Sequence, residues 1–253
     1  MNRFVLGPLS GAIQRFFKFF GYEILKMSKD YAPDELEIIT KVKPFTATSI
    51  ERIASLISVV NYLTKNKIVG DFVECGVWRG GSMMAAMLAL LQRGDTSRHF
   101  YLYDTYEGMT PPTDKDITHD GNRATDLLAA TEKKEGPNYW CIASLEDVQK
   151  NIFSTGYPKD KIHFIKGRVE DTLPAKSPGK IALLRLDTDW YDSTHHELVH
   201  LYPLLCANGA LVLDDYGHWQ GARRAVDEYF AKQTFAPLLT KLDFTGRLIV
   251  KPA

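Results

Sequence analysis

LRLDTDWYDST, residues 184–194, is an apolar run that stops on the carboxylates of Asp187 and Asp189. The pattern returns in LVLDD, residues 211–215, which ends on Asp214 and Asp215. In an open α/β sheet, ligands bind just outside the carboxyl ends of the parallel strands, so the four acids would meet at one rim. Neighbouring carboxylates repel one another unless protons or a cation neutralise them, and all-oxygen ligands suit a hard ion such as Mg²⁺. The two stretches therefore predict a metal site at the mouth of a nucleotide-type fold.

The composition of the chain fits one α/β domain. Its 253 residues, 45% of them hydrophobic, can fill one large core. The 31 basic and 31 acidic residues cancel, so no global field would draw the chain to nucleic acid or to a membrane surface. No uninterrupted apolar run approaches the roughly 20 residues of a membrane span. The three cysteines lie far apart and form no CxxC pair, which predicts a cytoplasmic protein without a disulfide framework.

The N-terminal segment is predicted to belong to the mature protein. Arg15 and Lys18 interrupt what would be the apolar core of a signal peptide, and no small-residue cleavage site follows. Residues 10–27 can form an amphipathic helix with Ile13, Phe16 and Phe20 on its apolar side. Packing against the domain or a second subunit is the favoured role, which would make the protein a homo-oligomer, and a surface membrane anchor is the alternative.

A glycine-bearing turn follows the first predicted strand, residues 71–77. A helix is expected to open at Met83 and to run to about Gln92. A strand, a turn with Gly80 and Gly81, and a helix N-terminus form a cradle for an anionic or dinucleotide-like ligand. The spacing is not GxGxxG, and a tight turn that needs glycine for backbone reasons alone is the alternative. Asp104, at the end of the second strand (residues 99–103), could accept both ribose hydroxyls of an adenosine or simply cap the next turn.

A long polar loop leaves the carboxyl end of the second strand. Residues 106–124 carry Pro111, Pro112 and two glycines and show no hydrophobic period. A loop of this length inside a compact domain is usually functional or disordered. We therefore predict a mobile lid over the site at about residues 106–125.

The remaining sequence alternates between strand and helix patterns. Helices are predicted at residues 50–66 (capped by Ser49), 144–155, 168–174, 191–206 and 219–232, and strands at 161–167, 181–186 and 210–213. Residues 238–244 and 247–251 flank Thr245 and Gly246 as a terminal antiparallel hairpin. This order predicts a mostly parallel sheet of seven strands with helices on both faces.

Five long strings, among them the two acid-bearing stretches, stand at the predicted strand ends. They are DFVECGVWRGGSMMAAMLAL (residues 71–90), YLYDTYEGMTPP (101–112), KGRVEDTLP (166–174), LRLDTDWYDST (184–194) and LVLDDYGHWQGARRAVDEYF (211–230). Together they resemble the macrocin O-methyltransferase (TylF-like) family, whose Rossmann-like class I S-adenosylmethionine-dependent methyltransferase fold ends in such a hairpin. The resemblance runs from about Phe45 to the C-terminus. It implies a methyltransferase domain at residues 43–253 after an N-terminal helical extension at residues 1–42.

The resemblance implies both a reaction and a site. Members methylate a sugar hydroxyl of a glycosylated natural product, macrolide- or aminocoumarin-like, with S-adenosylmethionine as the donor and Mg²⁺ required. Asp187, Asp214 and Asp215 resemble the metal ligands, and Asp189 resembles the general base. The expected cofactor cradle consists of Thr48 (at the methionine end), Glu74, Gly76, Ser82, Asp104, Arg168, Val169 and Glu170 (these last three near the adenine), and Asp187. The partner is then a small-molecule glycoside acceptor.

Two other interpretations remain open at this point. Asp187-Thr188-Asp189 also fits the DxD pattern by which many glycosyltransferases hold a metal and a sugar nucleotide, although it leaves Glu74 and Asp104 unexplained. A binding protein that kept the fold after losing catalysis is the non-enzymatic alternative. Three histidines near the acids, His195, His196 and His218, could serve as ligand or base, but packing and surface roles are commoner.

Overall fold

The computed structural model describes residues 3–5, 23–25, 31–136 and 138–253 of the chain. The chain divides into two compact units, Met1–Glu37 and Ile38–Ala253. In the first unit, strand β1 (Arg3–Val5) pairs in parallel with strand β2 (Glu23–Leu25). All residues of the predicted site belong to the second unit.

The second unit contains a seven-stranded sheet, as predicted. Its strands are β3 (Asp71–Cys75), β4 (Phe100–Asp104), β5 (Ile162–Lys166), β6 (Ile181–Leu186), β7 (Leu205–Leu213), β8 (Thr240–Lys241) and β9 (Arg247–Val250). Their order is β5-β4-β3-β6-β7-β9-β8. Strands β3 to β7 are parallel, while β9 runs antiparallel to both β7 and β8. The chain steps outward from β3 to β5 and then returns to β6 on the other side of β3, so the sheet has its switch point between β3 and β6.

Helices connect these strands. They are α1 (Pro33–Val42), α2 (Ile50–Lys65), α3 (Gly81–Gln92), α4 (Ala124–Ala129), α5 (Leu145–Phe153), α6 (Val169–Thr172), α7 (Tyr191–Leu201) and α8 (Gln220–Phe230). Ser49 caps α2 as predicted, because its hydroxyl accepts a hydrogen bond from the Arg52 backbone N–H at 3.1 Å. Within the described part of the chain, no helix combines the length and apolar character needed to cross a membrane.

Apolar residues are buried on both faces of the sheet, and alternate strand residues form a large core cluster on one of them. Val73, Leu184 and Leu211 are fully buried there against residues of α7 and α8 such as Leu198 and Val226. Because successive side chains of a strand point to opposite faces, the intervening residues are directed away from this cluster. Two charged side chains, those of Glu74 and Arg185, therefore lie on the opposite face.

Several predicted boundaries were wrong. The helix predicted at residues 191–206 ends at Leu201, and β7 already begins at Leu205. Pro203 lies in the short 3₁₀ turn between them, where its missing N–H cannot continue the helix. Glu23–Leu25 is a strand rather than the end of the helix predicted at residues 10–27. The other residues of that predicted helix lie outside the described part of the chain. The first hairpin strand is only Thr240–Lys241.

Candidate active site

A cavity of about 310 Å³ opens at the carboxyl ends of the parallel strands. Its lining includes most of the residues predicted for the site: Thr48, Gly76, Ser82, Asp104, Arg168, Val169, Glu170, Asp187, Asp189, Asp214 and Asp215. These residues are far apart in the sequence, and the switch point of the sheet brings them together. Glu74 is the exception, because it is fully buried and is not among the lining residues.

The turn after β3 approaches the β6 loop closely at Gly76. This glycine has φ +80°, and a Cβ atom there would lie 1.9 Å from the Asp187 carbonyl oxygen. Any other residue would push the two strand ends apart, since backbone atoms cannot yield as a side-chain tip can. Both reasons for glycine, the positive φ and the close approach, apply at this position.

Asp104 organises the loops around the cavity. Its Oδ2 accepts hydrogen bonds from the backbone N–H groups of Val77 (2.6 Å) and Trp78 (3.0 Å), and its Oδ1 accepts one from Tyr106 (2.7 Å). Burial raises the pKa of Asp104, and these backbone bonds oppose the rise. The carboxylate therefore ties the turn after β3 to the loop after β4, and Asp104 lines the cavity.

A buried ion pair lies beneath the cavity on the opposite face of the sheet from the large core cluster. Glu74 of β3 and Arg185 of β6 are register neighbours, and Arg185 Nη1 donates to Glu74 Oε1 at 2.6 Å. Both are almost fully buried. Burial raises the pKa of Glu74 to about 7, although the neighbouring Arg185 opposes this. A buried charge needs such a partner, because an isolated one would cost several kcal/mol.

Arg185 contacts four side chains of the site, and Glu74 is the first of them. Arg185 also donates to Asp187 Oδ2 at 2.7 Å and to Thr48 Oγ1 at 3.0 Å, and it pairs with Asp214 Oδ1. Thr48 is therefore held by the acid network through its hydroxyl, and it lies in the loop before α2. Arg185 thus fixes two of the acids at the ends of β6 and β7 relative to each other.

Three of the acids converge closely enough to hold one ion. Asp187, Asp214 and Asp215 each offer a carboxylate oxygen, and these oxygens lie within 4.8 Å of one another. Burial, opposed by Arg185 and reinforced by Asp214, raises the pKa of Asp187 well above its usual value. Burial and repulsion from Asp189 do the same to the pKa of Asp215. Such groups gain from a proton or from a hard cation bound between them.

Asp189 stands beside this cluster in a constrained conformation. It has φ +67°, unusual for a residue other than glycine. Its backbone N–H donates to Asp215 Oδ2 at 3.2 Å, and its Oδ1 accepts a hydrogen bond from Trp219 Nε1 at 2.6 Å. Burial, followed by repulsion from Asp187, raises the pKa of Asp189 to about 7. A carboxyl group with that pKa can accept a proton near neutral pH.

Two indole rings pack between the acid loops and the segment at residues 106–125. Trp190 and Trp219 meet edge to face with their ring centroids 4.9 Å apart. While Trp219 donates to Asp189, Trp190 Nε1 donates to the Thr110 carbonyl at 3.0 Å. The pair therefore links the candidate base to the predicted lid.

Sequence reasoning missed Arg52 and Arg185 as members of the site. Arg185 did carry a signal, since an arginine within the apolar run of β6 requires a buried acid nearby. The three histidines take separate places. His218 lines the cavity, whereas His195 stacks on Tyr191 and is not among the lining residues; His196 contacts His200 and does not line the cavity either.

Among solved structures, the chain is similar to the O-methyltransferase NovP, with a TM-score of 0.74 and 25% identity over 87% of this chain and 100% of that chain. The fold is that of the class I methyltransferases, and it implies S-adenosylmethionine as the methyl donor. The profile described as Macrocin-O-methyltransferase (TylF) matches residues 37–251.

Two curated relatives support the same assignment. One is the 8-demethyl-8-(2,3-dimethoxy-alpha-L-rhamnosyl)-tetracenomycin-C 4'-O-methyltransferase of Streptomyces olivaceus, 32% identical over 79% of this chain and 73% of the relative. The other is the demethyldecarbamoylnovobiocin O-methyltransferase of Streptomyces niveus, 32% identical over 79% of this chain and 73% of the relative. The chain belongs to the macrocin O-methyltransferase (TylF) family, and the protein is an O-methyltransferase.

Proposed function

We propose that the protein transfers a methyl group from S-adenosylmethionine to a sugar hydroxyl of a glycosylated natural product, assisted by Mg²⁺. The observation that carries this proposal is the position of Asp189, a constrained carboxylate on the cavity wall beside three converging acids. The names of the two relatives, whose acceptors are antibiotic glycosides, support the class of acceptor.

The cavity suits the cofactor at its β3–β4 side. The Gly76 turn brings backbone close to the ligand space, and Ser82 at the start of α3 is buried at the cavity wall. We assign Asp104, which lines the cavity at the end of β4, to the ribose of the cofactor. Arg168, Val169 and Glu170, at the start of α6, would flank the adenine, and Thr48 would lie at the methionine end.

The charge balance of the acid cluster fits a divalent cation. The cluster with its buried neighbours holds five carboxyl groups (Glu74, Asp187, Asp189, Asp214 and Asp215) against two guanidinium groups (Arg52 and Arg185). Asp187, Asp214 and Asp215 would hold the ion, since all-oxygen donors at this spacing match Mg²⁺. When bound, Mg²⁺ would orient neighbouring hydroxyls of the sugar and lower the pKa of the one that attacks.

The chain's own residues then have simple tasks. The acceptor hydroxyl attacks the methyl group in line, so that the new O–CH₃ bond forms as the S–CH₃ bond breaks and S-adenosylhomocysteine leaves. Asp189 takes the hydroxyl proton on the oxygen that Trp219 does not occupy. No covalent enzyme intermediate is needed, so positioning supplies much of the rate enhancement.

Calorimetry with S-adenosylhomocysteine tests the donor first, followed by the same titration with a UDP-sugar plus Mn²⁺. Micromolar binding of the first ligand and none of the second supports the methyl-transfer site. The reverse result would make Asp187-Thr188-Asp189 a sugar-nucleotide site instead. Transfer from tritiated S-adenosylmethionine to demethyldecarbamoylnovobiocin, with and without EDTA, then tests the acceptor class and the metal.

Replacing the proposed base gives a sharper test. Asp189→Asn should reduce turnover by about 10²- to 10⁴-fold, because an amide cannot accept the hydroxyl proton. Its calorimetric affinity for S-adenosylhomocysteine should stay within a few-fold of the wild type. Asp192→Asn is the matched control, since Asp192 is an exposed acid three residues further on that pairs with Lys115. A strong loss of cofactor affinity in Asp189→Asn would instead make Asp189 a structural residue.

A further inference from the structure

Arg52 joins the acid cluster to the C-terminal hairpin. Its Nη1 pairs with Asp214 Oδ2, and its Nε lies 2.9 Å from Asp243 Oδ2. The side chain is only 14% exposed, yet the residue lines the cavity. Arg52 lies in the first turn of α2, where its backbone N–H is bonded to the Ser49 cap. It can therefore reach the cavity without belonging to the sheet.

The two arginines of the cluster are held very differently. Arg185 is 4% exposed and contacts Glu74, Asp187 and Asp214 from within the sheet. Removing it from Glu74 would leave a buried carboxylate without its ion-pair partner. Arg52 contacts one acid of the cluster, Asp214, and has a second partner outside it. Of the two cations, only Arg52 can leave the cluster and still keep a carboxylate partner.

That second partner is firmly placed. Asp243 Oδ2 accepts a hydrogen bond from Ser49 Oγ at 2.7 Å, and its Oδ1 accepts bonds from the backbone N–H groups of Thr245 (2.9 Å) and Gly246 (2.7 Å). Asp243 thus stays in place whether or not Arg52 also touches Asp214. The guanidinium needs only to shift within its own reach to pair with Asp243 alone.

Asp214 is crowded compared with the other two proposed ligands. Its Oδ1 receives Arg185 and Thr48, and its Oδ2 receives Arg52. A divalent ion bound to Asp214 would meet the positive charge of Arg52 at contact distance. Like charges at this separation repel by several kcal/mol at the effective dielectric constant of a partly buried site. An ion and Arg52 therefore favour excluding each other from Asp214 Oδ2.

We infer that Arg52 competes with the divalent cation for Asp214 Oδ2 and moves onto Asp243 when the cation binds. The inference rests on the proposed metal site and adds a residue that sets its affinity. By linkage, whatever holds Arg52 on Asp243 would tighten cation binding to the same degree.

Mg²⁺ affinity, measured by calorimetry on the full chain without acceptor, tests this inference. Arg52→Gln should bind Mg²⁺ at least about tenfold more tightly than the wild type, because one competing charge is gone. Arg52→Lys keeps the charge and should bind within a few-fold of the wild type. Arg79→Gln is the matched control, since Arg79 pairs with Asp147 on a neighbouring loop and touches none of the cluster acids. Its affinity should change less than about twofold, as expected for a screened surface charge.

Unchanged or weaker Mg²⁺ binding by Arg52→Gln would overturn the inference and make Arg52 a support for Asp214. Failure of both proteins to bind Mg²⁺ would overturn it together with the proposed metal site, whereas binding by the wild type with no gain in the variant would leave that site standing. If Arg52→Gln does not melt cooperatively in EDTA, a crystal structure of the wild type with Mn²⁺ decides the matter. Arg52 paired with Asp243 alone supports competition, and Arg52 still paired with Asp214 beside bound Mn²⁺ excludes it.

Discussion

Trp190 and Trp219 show how much a single hydrogen bond can separate two otherwise equivalent residues. Both indoles are 4% exposed and pack against each other, so their contributions to the local core should be similar. Their N–H groups differ in what they bind: a backbone carbonyl at Thr110 for one and the carboxylate of Asp189 for the other. In the proposed mechanism, the bond from Trp219 would hold the Asp189 carboxylate toward the acceptor hydroxyl whose proton it takes.

Replacing each indole by phenylalanine separates packing from positioning. Trp219→Phe should lower kcat by about 10- to 100-fold, the worth of one hydrogen bond to a charged group, with little change in KM. Trp190→Phe removes the same N–H and the same ring volume and should lower kcat much less. Steady-state kinetics with an acceptor identified by the transfer assay measures kcat and KM for both variants. Equal losses in kcat for the two variants would mean that the pair acts only through packing.

Among the residues of the acid cluster, the carboxylates could be predicted from the sequence and the arginines could not. Asp187, Asp189, Asp214 and Asp215 end two apolar runs, a pattern that sequence alone displays. Arg52 sits in an ordinary helical turn, and its role follows only from the distance between α2 and the end of β7. Asp104 was expected as a ribose acceptor, but its bonds to three backbone N–H groups appear only once the loops are in place.

Among the elements, the segment at residues 106–125 departs most from a simple loop. Asp116, 1% exposed, accepts hydrogen bonds from Thr113 N–H at 2.7 Å and from the first helical N–H of α7, that of Tyr191, at 2.8 Å. Gly221 of α8 lies against the same carboxylate, since a Cβ there would be 2.5 Å from Asp116 Oδ1. One buried acid therefore pins the segment to the starts of both helices that follow the acid loops.

Removing this anchor should loosen the segment. We expect Asp116→Ala to destabilise the fold by about 1–3 kcal/mol, because it removes a buried carboxylate that accepts hydrogen bonds from the N–H groups of Thr113 and Tyr191. Hydrogen exchange should accelerate at residues 106–125 while α5 stays protected as an internal reference. Asp114→Ala is the control, since Asp114 is exposed and forms only a surface pair with Arg123. Equal exchange in both variants would show that Asp116 is not the anchor.

Element types were easier to predict than their ends. Strand β6 matches its predicted bounds because Leu186 is the last apolar residue before the acids. The end of α7 was misjudged because Leu204, Leu205 and Cys206 continue an apolar pattern that suits a helix or a buried strand equally. Helix α4 was missed since its short apolar stretch follows a polar loop without a capping side chain.

For the whole molecule, two partly buried histidines contribute to the pH dependence of the free energy of unfolding. Burial, followed by the neighbouring His99, lowers the pKa of His163, and burial followed by His196 lowers the pKa of His200. The unfolded chain, with histidine pKa values near 6.5, then binds more protons than the folded one. The contribution of these two rings to the free energy of unfolding therefore falls as the pH drops from about 6.5 through the folded pKa values, and it is constant above that window.

Urea unfolding at pH 7.5 and pH 5.5 measures this effect. Each of the two rings should cost the wild type at most about 1 kcal/mol at the lower pH, because partial exposure screens them, while buried acids with raised pKa values such as Glu74 act in the opposite direction. His163→Phe should therefore be more stable than the wild type at pH 5.5, relative to their difference at pH 7.5, since phenylalanine keeps the ring contact with Tyr101 without titrating. The double variant His163→Phe/His200→Phe should gain the most. A pH dependence that is unchanged in the double variant would assign the loss to other groups.

The fold as a whole could be predicted because its alternating pattern leaves few topologies. Right-handed parallel connections and a closing hairpin lead to one common sheet order. What the pattern could not supply is the face on which Glu74 and Arg185 meet, since a single charged residue per strand does not reveal its partner.

The anchoring of residues 106–125 also bears on how such enzymes diversify. Met109 and Thr110 line the cavity, and the segment is a single excursion from the end of β4 that is fastened at Asp116, at Trp190 and by backbone bonds at Ile117 and His119. The residues between these contacts can therefore be substituted, by selection or by design, while the strands that carry the acids stay unchanged. On the proposed function, a change of acceptor would require new residues in this one loop, while the residues proposed to move the methyl group would stay unchanged.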